Sequence, residues 1–219
     1  MSPLRTSASC LTLCWTLFWA MPAGAQSAPA PKHSEDSMDA TSLMPRYLLQ
    51  DVRGRVVTQE SYRGRFQLIT FGFTSCPDVC PTTLLGFKNI LQALGDRAER
   101  LQPLFITVDP ERDSTELLRE YTAAFDPRIT GLTGSAERIE HAARTFRVSY
   151  QKVREPGASP GIYTMDHSTG MYFLDTEGRF LAKFSINAPA REITARIRSL
   201  MDADTARPNP GRRGNAPLR

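Results

Sequence analysis

QLITFGF, residues 67–73, runs into TSCPDVCP, residues 74–81, and then into TTLLGFKNILQALG, residues 82–95. The first seven residues are continuous and almost wholly apolar, as in a strand buried on both faces of a sheet. Pro81 suits the first position of a helix, where a missing N–H leaves no bond unmade. Leu84, Phe87, Leu91 and Leu94 then recur at helical spacing as one apolar stripe, and Gly95 ends it. A buried strand, a short loop carrying two cysteines and an amphipathic helix make the first part of a βα unit.

The same alternation continues downstream. Residues 104–108 read as a second buried strand, and residues 113–125 as a helix whose Asp113 and Glu116 have capping-box spacing. Residues 129–132 form a short strand candidate, 135–146 a helix and 148–153 another strand. After a Pro/Gly-rich loop, residues 170–175 and 179–185 flank Thr176-Glu177-Gly178 as a hairpin, and Ile193, Ile197, Leu200 and Met201 line a last helix. Upstream, residues 46–50 and 55–58 flank Asp51-Val52-Arg53-Gly54 as an N-terminal β-hairpin. This order predicts an α/β fold of the thioredoxin-like kind, with a central mixed β-sheet and helices on both faces.

At 219 residues, 41% hydrophobic and 23% charged, the chain fits one globular domain with tails. The folded unit is expected over residues 43–202. Residues 26–42 are rich in Ala, Pro, Ser and Asp and read as a flexible linker, while 203–219 read as a disordered basic tail. Of the net charge of +4, Arg5 contributes one and the segment 203–219 a net three, so the body is neutral. A neutral body without a basic stripe excludes nucleic acid as a partner. Residues 1–25 have the order of a signal peptide: Arg5, an apolar run from Cys10 to Ala20, then Ala23-Gly24-Ala25. The alternative is a retained N-terminal anchor, although the apolar run is short of the roughly 20 residues that span a bilayer.

Cleavage near Gln26 removes Cys10 and Cys14 and leaves Cys76 and Cys80 as the cysteines of the mature chain. In an oxidising compartment these two are able to form a disulfide. A staple is a poor reason for it, because closing so short a loop removes little unfolded-state entropy. A loop-to-helix junction instead offers unpaired N–H groups and a helix dipole that favour thiolates. Three intervening residues make a wider loop than a Cys-x-x-Cys turn, one that also admits a metal ion. Of the histidines, His33 lies in the linker, His141 in a helix and His167 just before a predicted sheet strand. In a thioredoxin-like topology the loop holding His167 comes up beside the cysteines, and Asp166-His167-Ser168-Thr169 lacks the proline usual there. Two thiolates and one imidazole are a soft set suited to Cu(I) and able to take Cu(II), whereas structural zinc asks for four ligands.

Four stretches carry a family resemblance: LITFGFTSCPDVCPTTL, LFITVDPERDSTELLREYTAAF, ITGLTGSAERIEHAARTFRV and MDHSTGMYFLDTEGRF. Together they closely resemble the Sco/SenC copper proteins, from about Tyr47 to Leu200. The resemblance implies a metallochaperone that delivers copper to the dinuclear copper centre of cytochrome c oxidase subunit II, and it places the copper ligands on Cys76, Cys80 and His167. The expected cargo is one copper per chain, Cu(I) or Cu(II), with a Cys76–Cys80 disulfide in the oxidised apo form. Asp78 and Asp166 are candidates to tune the site from outside the ligand shell. Met165 is assigned to packing, with a thioether able to assist Cu(I) during transfer. A non-enzymatic monomer is expected, exported to the bacterial periplasm or tethered to the inner membrane there, and served by an upstream periplasmic copper donor. The alternative function is a thiol-disulfide oxidoreductase that reduces the cysteines of the copper acceptor. His167 discriminates between the two, since dithiol exchange does not require it.

Overall fold

The computed structural model describes residues 43–206, except 155, 158, 160 and 161. The expected signal segment, the linker and most of the basic tail lie outside the described residues. Among the described residues nine strands and four α-helices follow one another as β1 (Leu48–Asp51), β2 (Val56–Thr58), β3 (Phe66–Gly72), α1 (Val79–Leu94), β4 (Leu101–Thr107), α2 (Thr115–Phe125), β5 (Thr130–Thr133), α3 (Ala136–Thr145), β6 (Tyr150–Val153), β7 (Thr164–His167), β8 (Met171–Leu174), β9 (Phe180–Phe184) and α4 (Ala190–Ala206). Seven strands form one mixed sheet in the order β2-β1-β5-β4-β3-β8-β9, and β6 pairs with β7 in a separate ribbon. The last helix continues to Ala206, past the domain boundary read at 202.

β3 and β4 are parallel and every residue of both is buried, which is why their sequences show an apolar run and no alternation. The crossovers β3–α1–β4 and β4–α2–β5 step the same way across the sheet, so right-handed connections put α1 and α2 on one face. On that face a Cβ added at Gly72 would meet Cys80 Sγ at 2.6 Å and the Phe105 ring at 2.8 Å, and Phe105 packs on Tyr121 of α2 at 5.7 Å. On the other face Phe71 packs edge-on against Phe146, the residue that ends α3, at 5.3 Å, with Tyr172 completing the cluster. Helices therefore cover both faces, as expected.

The two main-sheet hairpins use one device. In Asp51-Val52-Arg53-Gly54-Arg55 the buried Asp51 carboxylate accepts from the Arg53 and Arg55 N–H groups and from Arg55 Nε. In Asp175-Thr176-Glu177-Gly178-Arg179 the buried Asp175 does the same with Glu177 and Arg179. Gly54 and Gly178 take φ of +79° and +81°, where a side chain is disfavoured. The turn chemistry thus sets both registers from local sequence.

Candidate metal centre

The cysteine loop leaves the C-terminal end of β3. Cys76 N–H donates to Phe73 O at 3.3 Å, and α1 begins at Val79 with Asp78 as its N-cap. The helix therefore starts two residues earlier than Pro81 suggests. The first ladder bond is Thr82 N to Asp78 O, so Pro81 at the third position, where an N–H has no partner within the helix, breaks nothing. Cys80 is consequently the second helical residue, not the cap, and is turned inward with only 2% of its surface exposed. Asp78 is exposed and its side chain makes no capping bond, while Cys76 Sγ accepts from Cys80 N–H at 3.4 Å. The sulfur takes the part that the carboxylate was positioned to play.

Behind the loop, Asp113 is buried and accepts from Thr74 N–H, from Thr74 Oγ1 at 2.5 Å and from Thr107 Oγ1 at 2.6 Å. Residue 113 is not the cap of α2, as its spacing to Glu116 suggests. Ser114 is the cap, its hydroxyl accepting from Leu117 N–H. Asp113 and Ser114 are adjacent candidates of equal capping propensity, and tertiary contact with Thr74 and Thr107 decides between them.

His167 arrives from the far side. The segment expected to be a loop is β7, antiparallel to β6 with Tyr150 opposite His167. Alternation along β7 puts Met165 and His167 on one side, Met165 buried in the core and His167 half-buried, and leaves Asp166 exposed on the other. Asp166 and His167 line an open groove of about 380 Å³ with Ser149, Tyr150 and Gln151. His167 Nδ1 lies 3.0 Å from Ser168 O. A carbonyl only accepts, so Nδ1 carries a proton, and in the neutral ring the lone pair is on Nε2. Nε2 faces Cys80 Sγ at 3.7 Å, and the ring stands edge-on to Phe73 at 6.0 Å.

The loop after β4 braces this arm, a role not read from the sequence. Tyr163, one residue before β7, donates to Asp109 at 2.8 Å. Arg112 bonds both Asp109 and Tyr163 O and lies 3.8 Å over the Tyr163 ring. Lys152 of β6 sits over the same ring and pairs with Glu111. Asp109 and Glu111 are thus engaged in holding this arm.

The ligand atoms of Cys76, Cys80 and His167 all lie within 4.8 Å of one another, and they form the one such cluster among the described residues. His141 is exposed on α3 beside Arg144 and takes no part, and His33 lies outside the described residues. Both cysteines are free thiols here. Burial pushes the Cys80 thiol well above its ordinary value, opposed by a hydrogen bond from the Phe73 backbone and reinforced by Cys76 and Asp113. At Cys80, burial thus works against the thiolate that the helix end favours. An incoming metal cation reverses that balance by displacing the proton. The spacing fits such an ion. With sulfur and imidazole bonds of about 2.3 and 2.0 Å, a trigonal ion holds the two donors about 3.7 Å apart.

A thioredoxin-like domain that raises a Cys₂His set at the C-terminal end of its central parallel strand defines a class of soft-metal-binding proteins. Residues 35–202 match the sequence model of the SCO1/SenC family, and the chain belongs to that family. It is 39% identical over 145 residues to the SCO2-like protein of Rickettsia prowazekii, covering 66% of this chain and 70% of that one. The structure of Bradyrhizobium japonicum ScoI with copper bound superposes with a TM-score of 0.65 at 37% identity, covering 72% of this chain and 98% of that one. BsSco, a member of the Sco family of cytochrome c oxidase assembly proteins in which a disulfide switch is identified, superposes at 0.55 with 26% identity, covering 76% of this chain and 95% of that one.

Proposed function

We propose that this chain is a copper-binding metallochaperone of cytochrome c oxidase assembly, loading the dinuclear copper centre of subunit II. The observation that carries the reading is the convergence of two sulfurs and an imidazole nitrogen within 4.8 Å, with His167 lining an open groove. Thiolates supply the softness that Cu(I) needs, and the imidazole extends the set to Cu(II). Copper bound to ScoI and the oxidase-assembly role of the family of BsSco support the cargo and the destination. His167 and its groove lie where an acceptor can approach, so the ion leaves by ligand exchange while the buried Cys80 stays behind. No bond of the acceptor is made or broken by oxidation, and the protein is a carrier and not an enzyme. It receives copper from an upstream periplasmic donor and acts as an exported monomer.

Anaerobic titration of the reduced protein is expected to give one tightly held copper per chain, with Cys76→Ser or Cys80→Ser abolishing it. Two equivalents retained after dialysis, or one retained by the double serine variant, would falsify the site. The alternative reductase role uses the same two cysteines and leaves His167 idle. His167→Ala is therefore expected to fold, to keep a reducible Cys76–Cys80 pair and to lose Cu(II). In a strain carrying only this variant, oxidase activity and the copper content of the isolated oxidase subunit are expected to fall. Full activity there would promote the reductase.

A further inference from the structure

A second cavity, of about 370 Å³, opens at the other end of the parallel strands, between the β1–β2 turn, the start of β4 and the second half of α2. Its charged lining is one-sided: Arg53, Arg55, Arg65 and Arg119 stand against the single carboxylate of Asp51. That carboxylate is already engaged, holding the turn and the Arg55 guanidinium at 2.7 Å. The tip of Arg65 is fixed by Gln102 Oε1 and Leu101 O, each at 2.7 Å, but its Nε is buried with no hydrogen-bond partner among the described residues. The Tyr62 hydroxyl is buried in the same condition, and burial above all pushes it up to about 12, so it remains a neutral donor at physiological pH.

Neither atom has surface open to the cavity, so it is the charge of the lining, and not these two donors, that favours a ligand. Guanidinium groups match oxyanions in both charge and planar fork geometry, and a recess lined by one sign of charge concentrates the opposite ion. We propose that this cavity binds a small, multiply charged oxyanion, held by the exposed guanidinium groups of Arg53 and Arg119 with Arg55 and Arg65 adding to the positive charge of the recess. The site is separate from the metal centre and independent of the copper reading.

Calorimetric titration of the reduced, metal-free full-length protein at near-physiological salt tests it, with pyrophosphate in one arm and citrate in the other. A single saturable site is expected with at least one probe, and the arm that saturates tells phosphate chemistry from carboxylate chemistry. The Arg53→Gln/Arg119→Gln double variant, altered only at exposed positions, is expected to bind about tenfold or more weakly, as two charge-assisted contacts are removed. The remote pair Arg138→Gln/Arg191→Gln and the pair Cys76→Ser/Cys80→Ser are expected to bind as the parent does. Absence of saturable binding with both probes, equal weakening by the remote arginine pair, or loss in the cysteine pair would each overturn the proposal.

Discussion

Gly72 is where the sheet and the metal centre meet. A methyl group there would stand 2.6 Å from Cys80 Sγ and 2.8 Å from the Phe105 ring, and neither neighbour is backbone. The cheapest relief is rotation of the Cys80 side chain, which carries the sulfur away from His167. Overpacking of this kind costs about 1–3 kcal/mol, small enough to leave the protein folded. Gly72→Ala is thus expected to melt only modestly lower and yet to bind copper much more weakly, as measured by competition with a chromophoric Cu(I) chelator. Unchanged affinity would mean that Cys80 has room elsewhere and that its present rotamer is not what holds the ion. His167 is fixed by a different economy: one hydrogen bond to Ser168 O selects the tautomer, and the edge of Phe73 sets the ring plane.

At the scale of elements, the metal centre joins two substructures of unequal solidity. β3 and α1 belong to the buried core, whereas the β6–β7 ribbon carries His167 and contributes mostly exposed residues from β6. The ribbon is held through Tyr163 by Asp109 and Arg112, with Lys152 stacked on the outside. Arg112→Lys keeps the charge but loses the planar fork and the stack. Hydrogen bonds to charged groups contribute about 1.5–3 kcal/mol. Amide exchange in β6 and β7 is therefore expected to accelerate roughly tenfold or more while β3 and β4 stay protected, since each ~1.4 kcal/mol is a factor of ten. Copper should dissociate faster in parallel. Uniform acceleration across the sheet would instead show that Arg112 supports the whole domain.

For the whole molecule, pH acts through acids paired in the folded state. Asp126 is held below the usual carboxylate range, first by the Arg128 side chain, against the opposing effect of burial. Asp51 is also held low: burial pushes it up, and the bonds from the Arg55 side chain and the turn N–H groups overcome that. A depressed folded value means that the unfolded chain binds the proton first. Both contributions are present above about pH 4 and are lost as pH falls through the folded values. Asp113, raised chiefly by burial, has the opposite sign, its contribution fading as pH rises through its folded value. The urea midpoint is expected to drop between about pH 5 and pH 3, and Asp126→Asn to flatten part of that slope while lowering stability at neutral pH. An unaltered slope in the variant would remove Asp126 from the account.

The apolar runs of β3 and β4, the stripe of α1 and the Asp-x-x-Gly-Arg hairpin turns are local patterns, so the sequence by itself determined the layered α/β architecture and the loop that presents Cys76 and Cys80. It also marked His167, through the topology those elements imply. What lay beyond local pattern was decided by contacts distant in the chain. Asp113 left the cap of α2 because Thr74 and Thr107 needed its carboxylate. Cys80 is buried against Gly72 of the sheet, which works against the thiolate that the helix end favours. The segment holding His167 became a strand only because β6 was there to pair with it. The arginine-lined cavity is assembled from the β1–β2 turn, Arg65 and α2, whose distance in sequence hides their proximity. Spacing along a chain reports which side chains share a face, but burial and the choice of hydrogen-bond partner depend on what folds against that face, and only the tertiary structure supplies it.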